Sequence, residues 1–138
     1  MLPKWHALLG AIFSIILVIL FPAIGWLGAF VIFASSVLID VDHYLWYVWK
    51  EKDWSLKKAY FYLKNSKRKV KRMMILHTFE FLLLLGIASF YSKFLFYILI
   101  GFVFHSIVDI IDMLRTKELN EREFFFVNWF RKFIFSKK

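Results

Sequence analysis

Between Gly101 and Met113 the chain reads GFVFHSIVDIIDM, an apolar run into which His105, Asp109 and Asp112 are set. Gaps of four and three residues place these side chains on one face of an α-helix. Burying an apolar segment requires no imidazole and no carboxylates. In line, such groups can hold a divalent cation, or serve as the acid and base of a hydrolytic site. Groups of the same kind recur at the margins of the other apolar segments: His6, then Asp40, Asp42 and His43, then His77 and Glu80. The local spacings repeat a theme. His105 and Asp109 are i,i+4, Asp40 and His43 are i,i+3, and so are His77 and Glu80. The last pair inverts the Glu-x-x-His spacing of carboxylate-bridged helix bundles.

The elements that must position these groups are hydrophobic. The chain has 138 residues, 61% of them hydrophobic and 18 of them Phe. That apolar share exceeds what a soluble domain carries, and the length suits one domain. Four stretches are apolar enough for helices that cross a bilayer: about 5–21, 23–42, 73–91 and 93–113. Pro22 and Gly25 break the first from the second, and the turn near residue 92 is equally short. The expected fold is therefore an all-α membrane protein of four transmembrane helices arranged as two antiparallel hairpins. No small-residue cleavage site closes the first stretch, so a transmembrane helix is the stronger reading than a signal peptide. Residues about 44–65, rich in Tyr and Trp, and about 121–135, which end in FFFVNWFRKFIF, have the pattern of interfacial amphipathic helices. Four helices can form a bundle alone, and a homodimer is the alternative.

Basic residues orient the chain. The connection after His43 carries Lys50, Lys52, Lys57, Lys58, Lys64, Lys67, Arg68, Lys69, Lys71 and Arg72, and the tail after the fourth stretch carries further Lys and Arg; the short turns carry only Lys93. The positive-inside rule puts both termini and the long connection in the cytoplasm, which would be that of a prokaryote with the chain multi-pass in its plasma (inner) membrane. A net charge of +9 on so apolar a chain points to anionic lipid head groups as partners. No nucleic-acid-binding motif is present, so no nucleic-acid partner is expected.

On that topology, fixed from Lys and Arg alone, all four histidines and five of the ten acids fall in one cytoplasmic layer. An acid at the centre of a transmembrane helix costs about 2.5–3.5 kcal/mol on insertion scales, and less near an end. Cationic side chains within the spans are absent, so a bound metal ion is what would make the gathering tolerable. His, Asp and Glu donors without Cys favour Zn²⁺, then Mn²⁺ or Fe²⁺, over the all-oxygen sites of Ca²⁺ and Mg²⁺. The candidate ligands His6, Asp40, His43, His77, His105, Asp109 and Asp112 suffice for one ion with orienting carboxylates, or for two ions.

The pattern of His6, Asp40-Val41-Asp42-His43, His77 and His105-Ser106-Ile107-Val108-Asp109 resembles the YdjM-like family of membrane-bound metal-dependent hydrolases, over roughly residues 6–112. Ile39 stands where that family often has Pro, and His77 stands alone where it often has two histidines. The His-x-x-x-Asp is also similar to zinc-dependent phospholipase C enzymes, which implies phosphoester chemistry.

The function expected is hydrolysis of a membrane-lipid phosphoester at the cytoplasmic interface by a metal-activated water, with Glu80 or Asp42 as general base. Two other readings use the same residues: a metal-ion carrier or sensor without catalysis, and a structural module in which the cluster is a hydrogen-bonded pin. Against a carrier, the outer half of every span lacks acids and histidines.

Overall fold

A computed structural model of the chain describes residues 3–65, 74–117 and 123–135. The basic residues Lys67, Arg68, Lys69, Lys71 and Arg72, on which much of the orientation argument rests, lie outside the described residues. Those described form helices and turns, with no strand among them. The helices are α1 (Pro3–Leu20), α2 (Gly25–Leu38), α3 (Val41–Glu51), α4 (Leu56–Asn65), α5 (Phe79–Ser89), α6 (Lys93–Thr116) and α7 (Phe126–Phe135). Single 3₁₀ turns, Pro22–Ile24 and Ile75–His77, precede α2 and α5.

α2 packs against both α1 and α6, and α6 also packs against α5. The connections α1–α2 and α5–α6 are short, so each pair doubles back as a hairpin. Two stretches, Pro22–Glu51 (α2 and α3 with the turn between them) and Lys93–Thr116, are long and apolar enough to cross a membrane; Lys4–Leu20 and Phe79–Ser89 are shorter apolar helices.

The distribution of side chains is inverted relative to a water-soluble bundle. Ile19, Trp26, Leu27, Phe30, Leu83 and Leu84 are all exposed, whereas His6, Ser14, Ser35, Ser36, Asp42, His77, Thr78, His105 and Ser106 are buried. On α2 the buried serines return their hydroxyls to their own helix: Ser35 Oγ donates to Ile32 O at 3.0 Å and Ser36 Oγ to Phe33 O at 2.8 Å. This leaves small, internally satisfied residues at the seams, as in helix packing without a hydrophobic driving force.

The tightest seam is α2 against α6. A Cβ at Gly101 would lie 2.5 Å from Ile32 O and 3.0 Å from Ser36 N, and would strike Ser35 Oγ. Two of these neighbours are backbone and cannot swing aside. Alanine gains about 1 kcal/mol of helix propensity over glycine, but overpacking a rigid contact costs about 1–3 kcal/mol. Gly101→Ala is therefore expected to lower stability in detergent. Gly86→Ala supplies the control, since no atom lies within 4 Å of its added methyl, and it should be neutral or stabilising. Thermal unfolding of the two variants beside the parent checks both signs.

The second apolar stretch is helical to Leu38, and after a turn at Ile39 and Asp40 the chain continues as α3. The segment about 44–65 forms the hairpin of α3 and α4, closed on Tyr47, Val48 and Ala59. Its turn is clamped by Lys58 Nζ, which donates to Asp53 Oδ2 at 2.8 Å; that bond, and the Ser55 N–H on Oδ1, hold the Asp53 carboxyl below its ordinary pKa. One expectation about the elements needs correction, and it bears on the site. Helix α5 starts at Phe79, so His77 and Glu80 do not share a helical face. Thr78 is extended (φ −78°, ψ 150°), accepts the Phe81 N–H as the N-cap, and separates them.

Candidate metal centre

Because the helices alternate in direction, one end of the bundle collects the start of α1, the end of α2, the start of α5 and the last turns of α6. At a rise of about 1.5 Å per residue, His6, Asp40 and His105 all lie about 18–23 Å from the opposite end of their helices. The sequence had these residues in one layer; packing brings them into contact.

Asp40 and Asp109 are the hubs. Asp40 Oδ1 lies 3.4 Å from His105 Nε2, 3.9 Å from His77 Nε2 and 3.5 Å from His43 Nε2; its Oδ2 lies 3.6 Å from His6 Nδ1. Asp109 Oδ2 lies 3.7 Å from His105 Nε2 and 3.8 Å from His77 Nε2; its Oδ1 lies 3.2 Å from His6 Nε2. Donor atoms of His6, His105 and Asp109, of Asp40, His77 and His105, and of Asp42, His43 and His77 form three overlapping groups, each within 4.8 Å.

The tautomers show what this arrangement needs. His105 Nδ1 stands 2.7 Å from the carbonyl oxygen of Ser36, which can only accept, so Nδ1 carries the hydrogen and donates it. His77 Nδ1 likewise donates to Asp42 Oδ2 at 3.0 Å, an oxygen that also accepts the Leu76 N–H at 3.2 Å. In the neutral imidazole both Nε2 atoms are then lone pairs, and both face the carboxylates of Asp40 and Asp109. Acceptors facing acceptors repel unless a cation lies among them. His105 Nε2 and both ring nitrogens of His6 are buried and make no hydrogen bond.

The separations fit a metal. Metal–nitrogen and metal–oxygen bonds of about 2.0–2.2 Å in a tetrahedral site place ligand atoms about 3.3–3.6 Å apart. The four carboxylate-to-Nε2 separations, from Asp40 Oδ1 and Asp109 Oδ2 to His77 and His105, run from 3.4 to 3.9 Å. These exceed hydrogen-bond distances yet are short for acids and imidazoles gathered in an apolar bundle. An outer acceptor fixes the Nδ1–H of each of these two histidines, the arrangement that orients and strengthens imidazole ligands.

Most of the expected site residues are therefore together. His77, His105, Asp40 and Asp109 present converging donors. His6 bridges the outer oxygens of the two carboxylates, and His43, about 30% exposed, stands on the open side. Asp42, expected as a base, orients His77: its Oδ2 accepts from His77 Nδ1 and from the Leu76 N–H, while its buried Oδ1 makes no hydrogen bond.

Two expectations fall outside the cluster. Glu80 is not a base there. Its Oε2 accepts the Phe126 N–H at 3.0 Å and its Oε1 the Val127 N–H at 3.3 Å, so it is committed to the start of α7. Asp112 belongs to none of the three donor groups; its carbonyl accepts the Thr116 hydroxyl at 3.0 Å, one turn beyond Asp109.

Nothing in the residue pattern marks the Ser36 carbonyl. Main-chain acceptors leave no mark in side-chain identity; the nearest signal is Ser35-Ser36 itself, small residues where α6 must approach. The buried segment around His77 is another feature the pattern hid. Met74, His77 and Thr78 are 1–3% exposed, and the non-helical backbone is satisfied internally: Leu76 N–H by Asp42, His77 N–H by Met74 O, Thr78 N–H by Ile75 O. Irregular backbone at membrane depth is tolerated only when buried in protein in this way.

No known protein family, characterised protein or solved structure matches the chain, so the metal-centre reading stands on the geometry of these residues.

Proposed function

We propose that the chain is a multi-pass membrane protein that hydrolyses a phosphoester of a membrane lipid at a divalent-metal centre opening to the cytoplasm. In this reading α1, α2, α5 and α6 are the membrane elements, both termini are cytoplasmic, and α3, α4 and α7 lie near the head groups. The observation that carries it is the pair of imidazoles, His77 and His105, whose Nδ1–H groups are committed outward and whose Nε2 atoms converge on two carboxylates.

His77 Nε2, His105 Nε2, Asp40 and Asp109 would hold the ion, with His6 bracing the two carboxylates. Zn²⁺ suits the donor set best. Such an ion lowers the pKa of a coordinated water to about 7 and polarises a phosphoryl oxygen. The chain's own residues do the rest. Asp42 fixes the tautomer and plane of His77, and the Ser36 carbonyl does the same for His105. The apolar walls, including the Phe13–Phe104 stack at 4.0 Å, keep bulk water from the inner side. His43, the more open imidazole beside Asp40, is placed to take up a proton on the cytoplasmic side. The exposed Lys50, Lys52, Lys57 and Lys58 of the connection supply attraction for an anionic head group.

Protein purified in mild detergent and loaded with Zn²⁺ should release head group or phosphate from a panel of phospholipids and lipid phosphates. No turnover across the panel, with metal bound at stoichiometry, overturns the hydrolase reading. Metal uptake into proteoliposomes by the same preparation would replace it with a carrier.

A further inference from the structure

Helix α7 is joined to the rest of the chain in a way that membrane attachment alone does not require. Its first turn would normally leave backbone N–H groups unpartnered. Instead Glu80, three residues after His77, reaches both Phe126 and Val127, one carboxylate oxygen to each N–H. A second tie runs beside it: the Phe79 N–H donates to Phe124 O at 3.0 Å. The rings of Phe79 and Phe125 pack at 5.3 Å. A carboxylate on a helix N-terminus is also favoured by the helix dipole.

From Glu80 the path to His77 is short and stiff. Thr78 caps α5 through Phe81 N–H and donates its hydroxyl to Ile75 O at 2.8 Å; its side chain is buried. Movement of Glu80 is therefore transmitted to the 3₁₀ turn that carries His77.

The far side of α7 says what holds it. Phe126, Val127, Phe130 and Ile134 follow one another at helical spacing and are exposed, Val127 at 63%. Asn128 lies on the opposite side, and the exposed Arg131 flanks the stripe beside Val127. An apolar stripe flanked by a cation fits the surface of an anionic bilayer.

We infer that α7 is a surface-seated clip. Its apolar stripe lies in an anionic lipid interface, and the Glu80 carboxylate couples that seating to the 3₁₀ turn carrying His77. This rests on the metal-centre reading for its consequence, though not for the clip itself.

The chain has no cysteine, so labels can be placed cleanly. Spin labels at Phe130→Cys and Gly86→Cys, with protein in nanodiscs containing phosphatidylglycerol, read both claims. The label at 130 should be accessible to oxygen and shielded from a water-soluble nickel chelate, and that shielding should decline in purely zwitterionic nanodiscs. The 86–130 distance should be narrow, and Glu80→Gln should broaden it and speed metal loss by about five- to tenfold, the size expected for weakening a charged helix cap. Water accessibility at 130, or label-to-label broadening between copies, overturns the lipid surface as occupant. An unchanged distance in Glu80→Gln overturns the clip, and a broadened distance with unchanged metal loss overturns the coupling. If the parent binds no metal, the metal-centre reading fails and with it the coupling, while the distance arm still decides the clip.

Discussion

Replacing His105 by alanine is expected to lower divalent-metal affinity by more than about 10²-fold, and to yield protein that emerges from desalting without stoichiometric metal. The expectation comes from what His105 touches. Its Nε2 lies 3.4 Å from Asp40 and 3.7 Å from Asp109, so its loss removes a donor between both hubs. The comparison that gives the number meaning is Asp42→Asn. Asp42 orients His77 through Nδ1 and belongs to the flanking donor group with His43 and His77, away from His105. Loss of such an outer partner costs about 10–100-fold in metal affinity, so it should lie between the parent and His105→Ala. Elemental analysis gives stoichiometry, and competition with a chromophoric chelator gives affinity. Equal effects from the two variants would mean that Asp42 is itself a ligand. Full metal content in His105→Ala would remove the α6 face from the centre.

The order of these effects was only partly legible in the sequence. His105 and Asp109 could be paired from spacing because α6 is a long regular helix through both residues. Asp40 and Asp42 could not be ranked, because their directions depend on the turn at Ile39 and Asp40. With Val41 as the first residue of a new helix, both carboxylates face the cluster, Asp42 toward His77 and Asp40 toward all four imidazoles. His77 and Glu80 misled for the converse reason. Their spacing looks helical, yet Thr78 caps α5 between them. A threonine in that position is a helix-start signal, but inside a uniformly apolar stretch it reads equally as a tolerated small polar residue. The membrane pattern hid the boundary, since apolar residues continue on both sides of it. The partner of Glu80 was out of reach: α7 lies 46 residues downstream, and a backbone N–H donor leaves no trace in residue type.

Chelation is expected to lower the unfolding temperature of the parent by roughly 10–20 °C. A ligand at about a thousand times its Kd contributes about 4 kcal/mol to the folded state, and a chain of this size shifts by roughly 3–5 °C per kcal/mol. The estimate is a floor for a reason specific to this site. Removing the ion leaves the Nε2 lone pair of His105 facing the carboxylate of Asp40 inside the bundle, with its Nδ1–H already committed to Ser36. The cation that replaces the metal can only be a proton, so chelation should take up protons, and reloading in weakly buffered solution should release them. Asp40→Asn separates this from a purely structural role. Without its central carboxylate the site should no longer hold metal, so chelator should leave the unfolding temperature of that variant unchanged. A hydrogen-bonded pin predicts the opposite pattern: no chelator effect in the parent, no proton uptake, and a loss of stability in Asp40→Asn that is the same with and without added metal. Scanning fluorimetry across the four combinations of parent or variant, metal or chelator, distinguishes the two, because only a bound ion makes the cost of the substitution depend on what is in the buffer.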